Sequence, residues 1–238
     1  MEGNQSLFDK FAATYNEGHT QAIKSSGFTI DYFHEYKVKE VFNYLMNTDL
    51  VIKRINILNF GCGIGNSERH IRKYFPNAII YSIDISEKSI DVAKESNRNL
   101  FNVNFCQFDG VVVPFDINFD IILAAGVFHH IPREKHIEIL TNIYQKLSLG
   151  GFLFIFELNP INPATMYVAI KNDYKFDVNA KLLNPVYLMR MARLAGFQNR
   201  TIRFTIFFPA FLSLLLRFEK YLRWLPFGAH YYFIGRKF

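Results

Sequence analysis

The stretch Ile57-Leu-Asn-Phe-Gly-Cys-Gly-Ile-Gly65 decides the fold class of this chain. It begins as a short apolar run, continues as a turn with three glycines, and is followed by a helical pattern that extends to about Tyr74. Glycines in a strand-to-helix turn let the backbone bend tightly and let a ligand approach the N–H groups at the start of the helix. Taken alone, such a turn is equally compatible with a tight connection that binds nothing.

Short apolar runs alternate with amphipathic stretches on both sides of this turn. The predicted strands are Ile55–Phe60, Ala78–Ile83, Val103–Phe108, Phe119–Ala125, Phe152–Phe156, Arg200–Phe208 and His230–Arg236. Helical patterns follow the first, second and fourth of these strands, which predicts βαβ units and a mainly parallel sheet. Because the central runs are apolar throughout, we expect helices to cover both faces of that sheet.

An acidic residue ends the second predicted strand. Asp84 lies 19 residues after Gly65. In nucleotide-binding α/β folds, an acid at about this distance accepts hydrogen bonds from ribose hydroxyls. The dinucleotide fingerprint needs glycine or alanine at position 66, where this chain has Asn66, so the spacing disfavours NAD.

The motifs resemble those of class I S-adenosylmethionine-dependent methyltransferases of the small-molecule type. The glycine turn is similar to that family's first motif, Asp-x-Gly-Cys-Gly-x-Gly. The second to fifth motifs are similar to Ile83–Ser86, Phe108–Gly110, Phe119–Ile131 and Leu147–Phe152. The resemblance implies a Rossmann-like α/β fold with a seven-stranded, mostly parallel sheet, helices on both faces, an antiparallel last strand and an N-terminal helical lid.

The same resemblance implies S-adenosyl-L-methionine as the cofactor. The residues that it assigns to cofactor binding are Tyr15, Asn59, Gly61, Cys62, Gly63, Gly65, Asp84, Ile85, Asp109, Gly110 and Ala125. Asp109 corresponds to the acid that meets the adenine amino group, and Tyr15 lies in the lid. Asn59 departs from the family, which usually has an acid there, so loss of cofactor binding is the alternative.

The predicted reaction is O-methylation of a small-molecule, glycan or lipid-linked acceptor. A hydroxyl acceptor needs a base, and His130 and Glu157 are the candidates at the carboxyl edge of the sheet. His130 could instead shape the pocket, and Glu157 could instead cap its strand. One alternative is N- or C-methylation of a small metabolite. The other is a non-catalytic interaction module that keeps the cofactor-binding fold. Cys62 and Cys106 form no metal-ligand pattern, and no metal is predicted.

We expect one methyltransferase domain over residues 1–238. Within it, residues 1–50 are the predicted lid, residues 55–157 the cofactor-binding core, and residues 158–238 the acceptor side. The acceptor side contains a helical insertion at about residues 209–226, between the sixth and seventh strands.

The basic charge of the chain is concentrated at its C-terminal end. The net charge is +6, and residues 200–238 alone contain seven basic residues and one acid. This distribution gives no reason to expect nucleic acid. The insertion has three interpretations: a helix packed on its own domain, a wall for a bulky apolar acceptor, or a contact with a partner or an anionic membrane surface. Because no membrane span or secretory signal is recognisable, a cytoplasmic location is expected.

Overall fold

The predicted alternation of strands and helices is present in the computed structural model, which describes residues 26–171 and 181–238 and, before them, residues 5, 8–10, 12, 18, 20 and 23. The strands in these residues are β1 Asn56–Phe60, β2 Ile79–Asp84, β3 Val103–Gln107, β4 Phe119–Ala125, β5 Leu147–Leu158, β6 Asn199–Thr205 and β7 His230–Arg236. The α-helices are α1 Ile30–Leu45, α2 Glu68–Tyr74, α3 Glu87–Ser96, α4 His136–Lys146, α5 Pro163–Lys171, α6 Pro185–Leu194 and α7 Glu219–Leu222.

The strands form a single sheet in the order β3-β2-β1-β4-β5-β7-β6. Strands β1 to β5 pair in parallel, and β7 is antiparallel to its neighbours β5 and β6. The strand order reverses between β1 and β4, and in open α/β sheets the crevice at such a reversal is where ligands bind. The predicted Rossmann-like fold with an antiparallel last strand is confirmed.

Two apolar clusters cover the two faces of the sheet. One contains Val38 and Val41 of α1 with Phe154 and Tyr232, and the other contains residues of α4 and α6 with Ile155. Burial on both faces explains the continuous apolar runs of the central strands. Within the described residues, no helix is long and apolar enough to cross a membrane.

Strand β5 is longer than the sequence predicted. Its pairing with β4 shifts between Phe119–Leu147 and Ile121–Phe152, so residues 148–151 form a bulge opposite Asp120. Gly150 has a φ of +79° in this bulge, a conformation that favours glycine. Gly150 and Gly151 therefore lie at a bend within β5 and do not mark its start.

The insertion does not form the packed helix that was one of its three interpretations. It consists of a 3₁₀ helix, Ala210–Phe218, with non-helical backbone at Leu212, followed by the short helix α7. Neither element contains a buried residue. The helical spacing of the apolar residues at positions 214, 218 and 221 therefore gives an exposed face instead of a buried one.

Helix α1 is joined to this C-terminal region by a buried carboxylate. Glu40 accepts a hydrogen bond from the Tyr232 hydroxyl at 2.9 Å and one from Arg223 Nη2 at 2.6 Å. Tyr36, on the same helix, donates its hydroxyl to the Thr205 hydroxyl. Loss of Glu40 would leave two polar groups without their acceptor, and one of them, the Tyr232 hydroxyl, is buried.

We expect Glu40→Ala to lower the free energy of unfolding by about 1.5–3 kcal/mol, because hydrogen bonds to charged groups contribute on that order. Urea unfolding measures the difference. Glu95→Ala is the control, since Glu95 is exposed and its ion pair within the described residues is with the exposed Arg98, and a surface pair contributes about 0–1 kcal/mol. Equal losses in the two variants would show that Glu40 does not anchor α1.

Candidate active site

The glycine turn is fastened to the end of β2. Gly61 and Cys62 donate their backbone N–H groups to the Ile83 carbonyl at 2.8 and 2.9 Å. Asp84 accepts the Gly63 N–H at 2.8 Å with one carboxylate oxygen and the Ser86 N–H at 2.9 Å with the other. Burial raises the pKa of Asp84, and these N–H donors oppose the shift. The carboxylate thus lies at the edge of the crevice, held on the turn itself.

The three glycines of the turn are required for different reasons. A Cβ on Gly61 would lie 2.5 Å from a methyl carbon of Val127, and one on Gly65 would lie 2.9 Å from Ala93 Cβ. Gly63 has a φ of +54°, and a Cβ there would have no atom within 4 Å. Packing therefore explains Gly61 and Gly65, whereas the space above Gly63 can receive a ligand.

Asn59 lies beneath the turn and is bound to a carboxyl group that the sequence analysis missed. Its amide donates to Glu68 Oε1 at 2.8 Å, and the Ser82 hydroxyl donates to the same oxygen at 2.7 Å. Glu68 is fully buried, and burial raises its pKa. Its other oxygen, Oε2, has no hydrogen-bond partner within the described residues. An acid in the first turn of the helix after the glycines was the available signal.

The remaining residues assigned to the cofactor lie along the same edge. Asp109 is exposed after β3 and accepts the N–H groups of Val111 and Val112, both at 2.8 Å. Ile85 and Gly110 follow the ends of β2 and β3, and Ala125 is the last residue of β4. Cys62 is buried, which raises the pKa of its thiol well above the usual value. Tyr15 lies outside the described residues.

The loop after β4 is fixed by Glu157, near the end of β5. One carboxylate oxygen of this buried residue accepts the Phe128 N–H at 2.9 Å, and the other lies 2.5 Å from His129 Nδ1. The sequence analysis selected His130 from the two adjacent histidines. The structure instead pairs His129 with Glu157, and it places the His130 ring 4.0 Å from that of His129, between ring centroids.

Two described residues of the N-terminal segment contact opposite sides of the crevice. Phe8 packs edge-on against His130, with ring centroids 5.1 Å apart. Asp9 accepts a hydrogen bond from the Ser86 hydroxyl at 2.6 Å. Ser86 follows β2 and His130 follows β4, so these contacts are consistent with a segment that crosses the site. The lid over residues 1–50 stays a prediction, because most of residues 1–25 lie outside the described part.

Residues 57–151 match the family model of a methyltransferase domain. They form a class I methyltransferase core. The prediction of the S-adenosylmethionine-dependent family is therefore confirmed, and with it the class of cofactor. The matched region contains the glycine turn, Asp84, Asp109 and both histidines of the loop after β4.

The relatives of this chain include named O-methyltransferases. The ubiquinone biosynthesis O-methyltransferase of Coxiella burnetii is 27% identical over 156 residues, which are 62% of this chain and 65% of that protein. The malonyl-[acyl-carrier protein] O-methyltransferase of Bacillus cereus is 30% identical over 99 residues, which are 42% of this chain and 36% of that protein. The chain thus spans less than two thirds of the length of these relatives.

Solved structures share the fold at low sequence identity. A methyltransferase of Thermotoga maritima has a TM-score of 0.69 and 16% identity, covering 99% of this chain and 100% of that one. Phosphoethanolamine N-methyltransferase 2 of Haemonchus contortus, solved with S-adenosyl-L-methionine, has a TM-score of 0.57 and 17% identity, covering 83% of this chain and 52% of that one. These similarities show the fold alone.

We expect Gly63→Ala to fold but to weaken S-adenosylhomocysteine binding by more than about tenfold, or about 1.4 kcal/mol. The added methyl group meets no protein atom and enters the space for the ligand. Calorimetric titration measures the affinity. Gly150→Ala is the matched control, because Gly150 also has a positive φ and its Cβ would lie no closer than 3.7 Å to any atom. Both variants bear a similar backbone strain of about 1–2 kcal/mol. Equal affinities of the two variants for S-adenosylhomocysteine would place the ligand elsewhere.

Proposed function

We propose that the chain is an S-adenosylmethionine-dependent methyltransferase that transfers a methyl group to an oxygen of a small-molecule acceptor. The observation that carries this proposal is the buried His129–Glu157 pair at the carboxyl edge of the sheet, beside the glycine turn. The names of the Coxiella and Bacillus relatives, both O-methyltransferases, support an oxygen acceptor. The free thiols of Cys62 and Cys106 support the predicted cytoplasmic location.

The residues that would hold the cofactor are those of the glycine turn and the strand ends. The space above Gly63 and the adjoining Asp84 carboxylate fit a nucleoside with ribose hydroxyls. Asp109 lies at the next strand end, where it would accept a hydrogen bond from the adenine amino group. When bound, S-adenosylmethionine would supply an electrophilic methyl group to the acceptor oxygen and would leave as S-adenosylhomocysteine, with the electron pair of the broken carbon–sulfur bond on sulfur.

The protein's part is to orient the acceptor and to remove its proton. A carboxylate only accepts hydrogen bonds, so the short contact with Glu157 places the proton on His129 Nδ1. The other ring nitrogen, Nε2, is then the one that would take the proton of the acceptor hydroxyl. We therefore transfer the proposed base role from His130 to His129. Glu157 becomes a positioning residue, because its two oxygens bind Phe128 N–H and His129.

We expect His129→Gln to reduce turnover by about 10²–10⁴-fold, the usual contribution of a general base, while S-adenosylhomocysteine affinity stays within a few fold. Glu157→Gln should reduce turnover less and shift its pH dependence, since it alters the pairing of the imidazole. Transfer of isotopically labelled methyl groups to a small-molecule extract measures turnover. His130→Gln is the matched control, expected within a few fold of wild type. Full turnover by His129→Gln, or label on nitrogen or carbon of the product, would contradict the proposal.

We further propose that the C-terminal insertion contacts an anionic membrane surface and that the acceptor is lipid-linked. Large apolar side chains are exposed there, with Phe211 82%, Leu214 80% and Trp224 75% accessible. Arg217 and Lys220 lie among them. Basic residues beside exposed aromatic and aliphatic residues suit the boundary between anionic headgroups and acyl chains.

The insertion is connected to the acceptor side of the site, which supports this proposal. Its one acid, Glu219, points away from the exposed face and accepts the N–H groups of Phe207 and Phe208. Asn159, directly after β5, donates to the carbonyls of Pro226 and Gly228 at 2.9 and 2.8 Å. The C-terminal end of the insertion is therefore fixed to the end of β5 through the buried Asn159 side chain.

We expect Trp224, the single tryptophan of the chain, to shift its fluorescence to shorter wavelength on vesicles of phosphatidylcholine with phosphatidylglycerol, and not on phosphatidylcholine alone. The double variant Phe211→Ser/Leu214→Ser should lose the fluorescence shift. It should also no longer sediment with these vesicles, whereas the wild-type protein should. Leu149→Ser is the matched control, because Leu149 is 80% accessible in the bulge of β5, outside the insertion. Equal binding by both variants would exclude the insertion as the contact.

A further inference from the structure

A buried carboxyl group lies beneath the glycine turn, between β1 and β2. Glu68 is in the first turn of α2 and is fully buried. Its Oε1 accepts hydrogen bonds from the side chains of Asn59 on β1 and Ser82 on β2, which are paired in register. Asn59 comes two residues before Gly61, the first glycine of the turn. The carboxyl group is therefore held between the two strands whose ends carry the glycine turn and Asp84.

The contacts of Glu68 leave its carboxylate incompletely paired. Oε2 is enclosed and has no hydrogen-bond partner within the described residues. The next two residues of α2, Arg69 and His70, are bound to Asp31 and form no ion pair with Glu68. A buried carboxylate is costly unless a cation or further hydrogen-bond donors compensate its charge. A cationic ligand close to this carboxylate would reduce that cost.

Glu68 also fixes which end of the Asn59 amide faces away from it. A carboxylate only accepts hydrogen bonds, so the amide presents its nitrogen to Glu68, at 2.8 Å. The amide oxygen, Oδ1, is then left to accept a hydrogen bond. No described residue donates to Oδ1, and it is not one of the enclosed side-chain atoms that lack a partner in that part of the chain. Although Asn59 is only 2% accessible, this oxygen is therefore open to a ligand at the end of β1.

The end of β1 lies between the two parts of the proposed site. In the strand order β2-β1-β4, Asp84 ends β2 and His129 follows β4. The proposed ribose contact is at Asp84, and the methyl group has to face the loop that carries His129. A cofactor that spans this distance passes over the end of β1, where Asn59 lies. Besides the nucleoside and the sulfur, what remains of S-adenosylmethionine is its amino acid end, which carries an ammonium group.

We propose that Glu68 is a positioning residue for the cofactor and that, with Asn59, it forms the binding site for the ammonium group of S-adenosylmethionine. Asn59 Oδ1 accepts a hydrogen bond from the ammonium group, and the Glu68 carboxylate behind the amide supplies the negative charge. The acid that is absent at position 59 is thus replaced from the first turn of α2. The inference rests on the proposed function and assigns the part of its site that holds the amino acid end of the cofactor.

The test compares S-adenosylhomocysteine with its deaminated analogue, in which hydrogen replaces the amino group, by calorimetric titration. We expect the wild-type protein to bind S-adenosylhomocysteine about tenfold or more tightly, because charge-assisted hydrogen bonds are stronger than neutral ones. Glu68→Gln should lose most of this preference, since glutamine can keep both hydrogen bonds but not the charge. Glu87→Gln is the matched control, because Glu87 is also in the first turn of a helix, α3, but is exposed. An unchanged preference in Glu68→Gln would overturn the proposal.

The exchange variant Asn59→Asp/Glu68→Gln separates an effect of charge from an effect on structure. It has one carboxylate and one amide at the same two positions in exchanged order, so a hydrogen bond between them can form again. We expect this variant to regain most of the preference for the ligand with the amino group. Loss of the preference in Glu68→Gln without recovery in the exchange variant would overturn the positioning role.

A third measurement uses only the wild-type protein and does not depend on the folding of a variant. With carbon-13-labelled glutamate, the Glu68 carboxyl resonance should move on addition of S-adenosylhomocysteine and much less on addition of the deaminated analogue. Equal displacements would overturn the proposal. Labelled methyl transfer is measured in parallel. Transfer by a protein without the ammonium preference would overturn this inference alone, whereas the preference without any transfer would contradict only the proposed function.

Discussion

The buried Glu157 carboxylate is the interaction on which the arrangement of the site depends. It joins the end of β5 to the loop after β4 through Phe128 N–H and His129, and Val127 of that loop packs on Gly61. A carboxylate without hydrogen-bond donors would be costly at this depth, so the loop must approach β5 closely. The cofactor turn and the proposed base are brought together by that requirement.

The two sides of the crevice are built differently. On the cofactor side, the glycine turn is rigid. Its backbone is bound to Asp84 through N–H groups, and its glycines leave little room for substitution. On the acceptor side, α1 is held by long-range contacts with the C-terminal region, through Glu40 and Tyr36. The exposed insertion is attached to the same region.

The cofactor side could be predicted from the sequence because its determinants are local. A strand, a glycine turn and an acid at the next strand end are fixed by short-range chemistry, and β4 and β7 have the predicted bounds. The acceptor side could not. Which of two adjacent histidines meets Glu157 depends on a 3₁₀ turn and on a contact across 28 residues. Glu68 derives its raised pKa from burial, and the apolar spacing at residues 214, 218 and 221 does not reveal whether a partner covers these residues.

A crystal structure with S-adenosylhomocysteine tests the central claim, that the carboxyl edge between the glycine turn and the His129–Glu157 pair is the methyl-transfer site. The account predicts ribose hydroxyls within hydrogen-bonding distance of Asp84 and ligand atoms in the space above Gly63, with the sulfur on the side of the loop that carries His129. A ligand bound without contact to Gly63 or Asp84 would contradict it, as would a sulfur atom that points away from that loop.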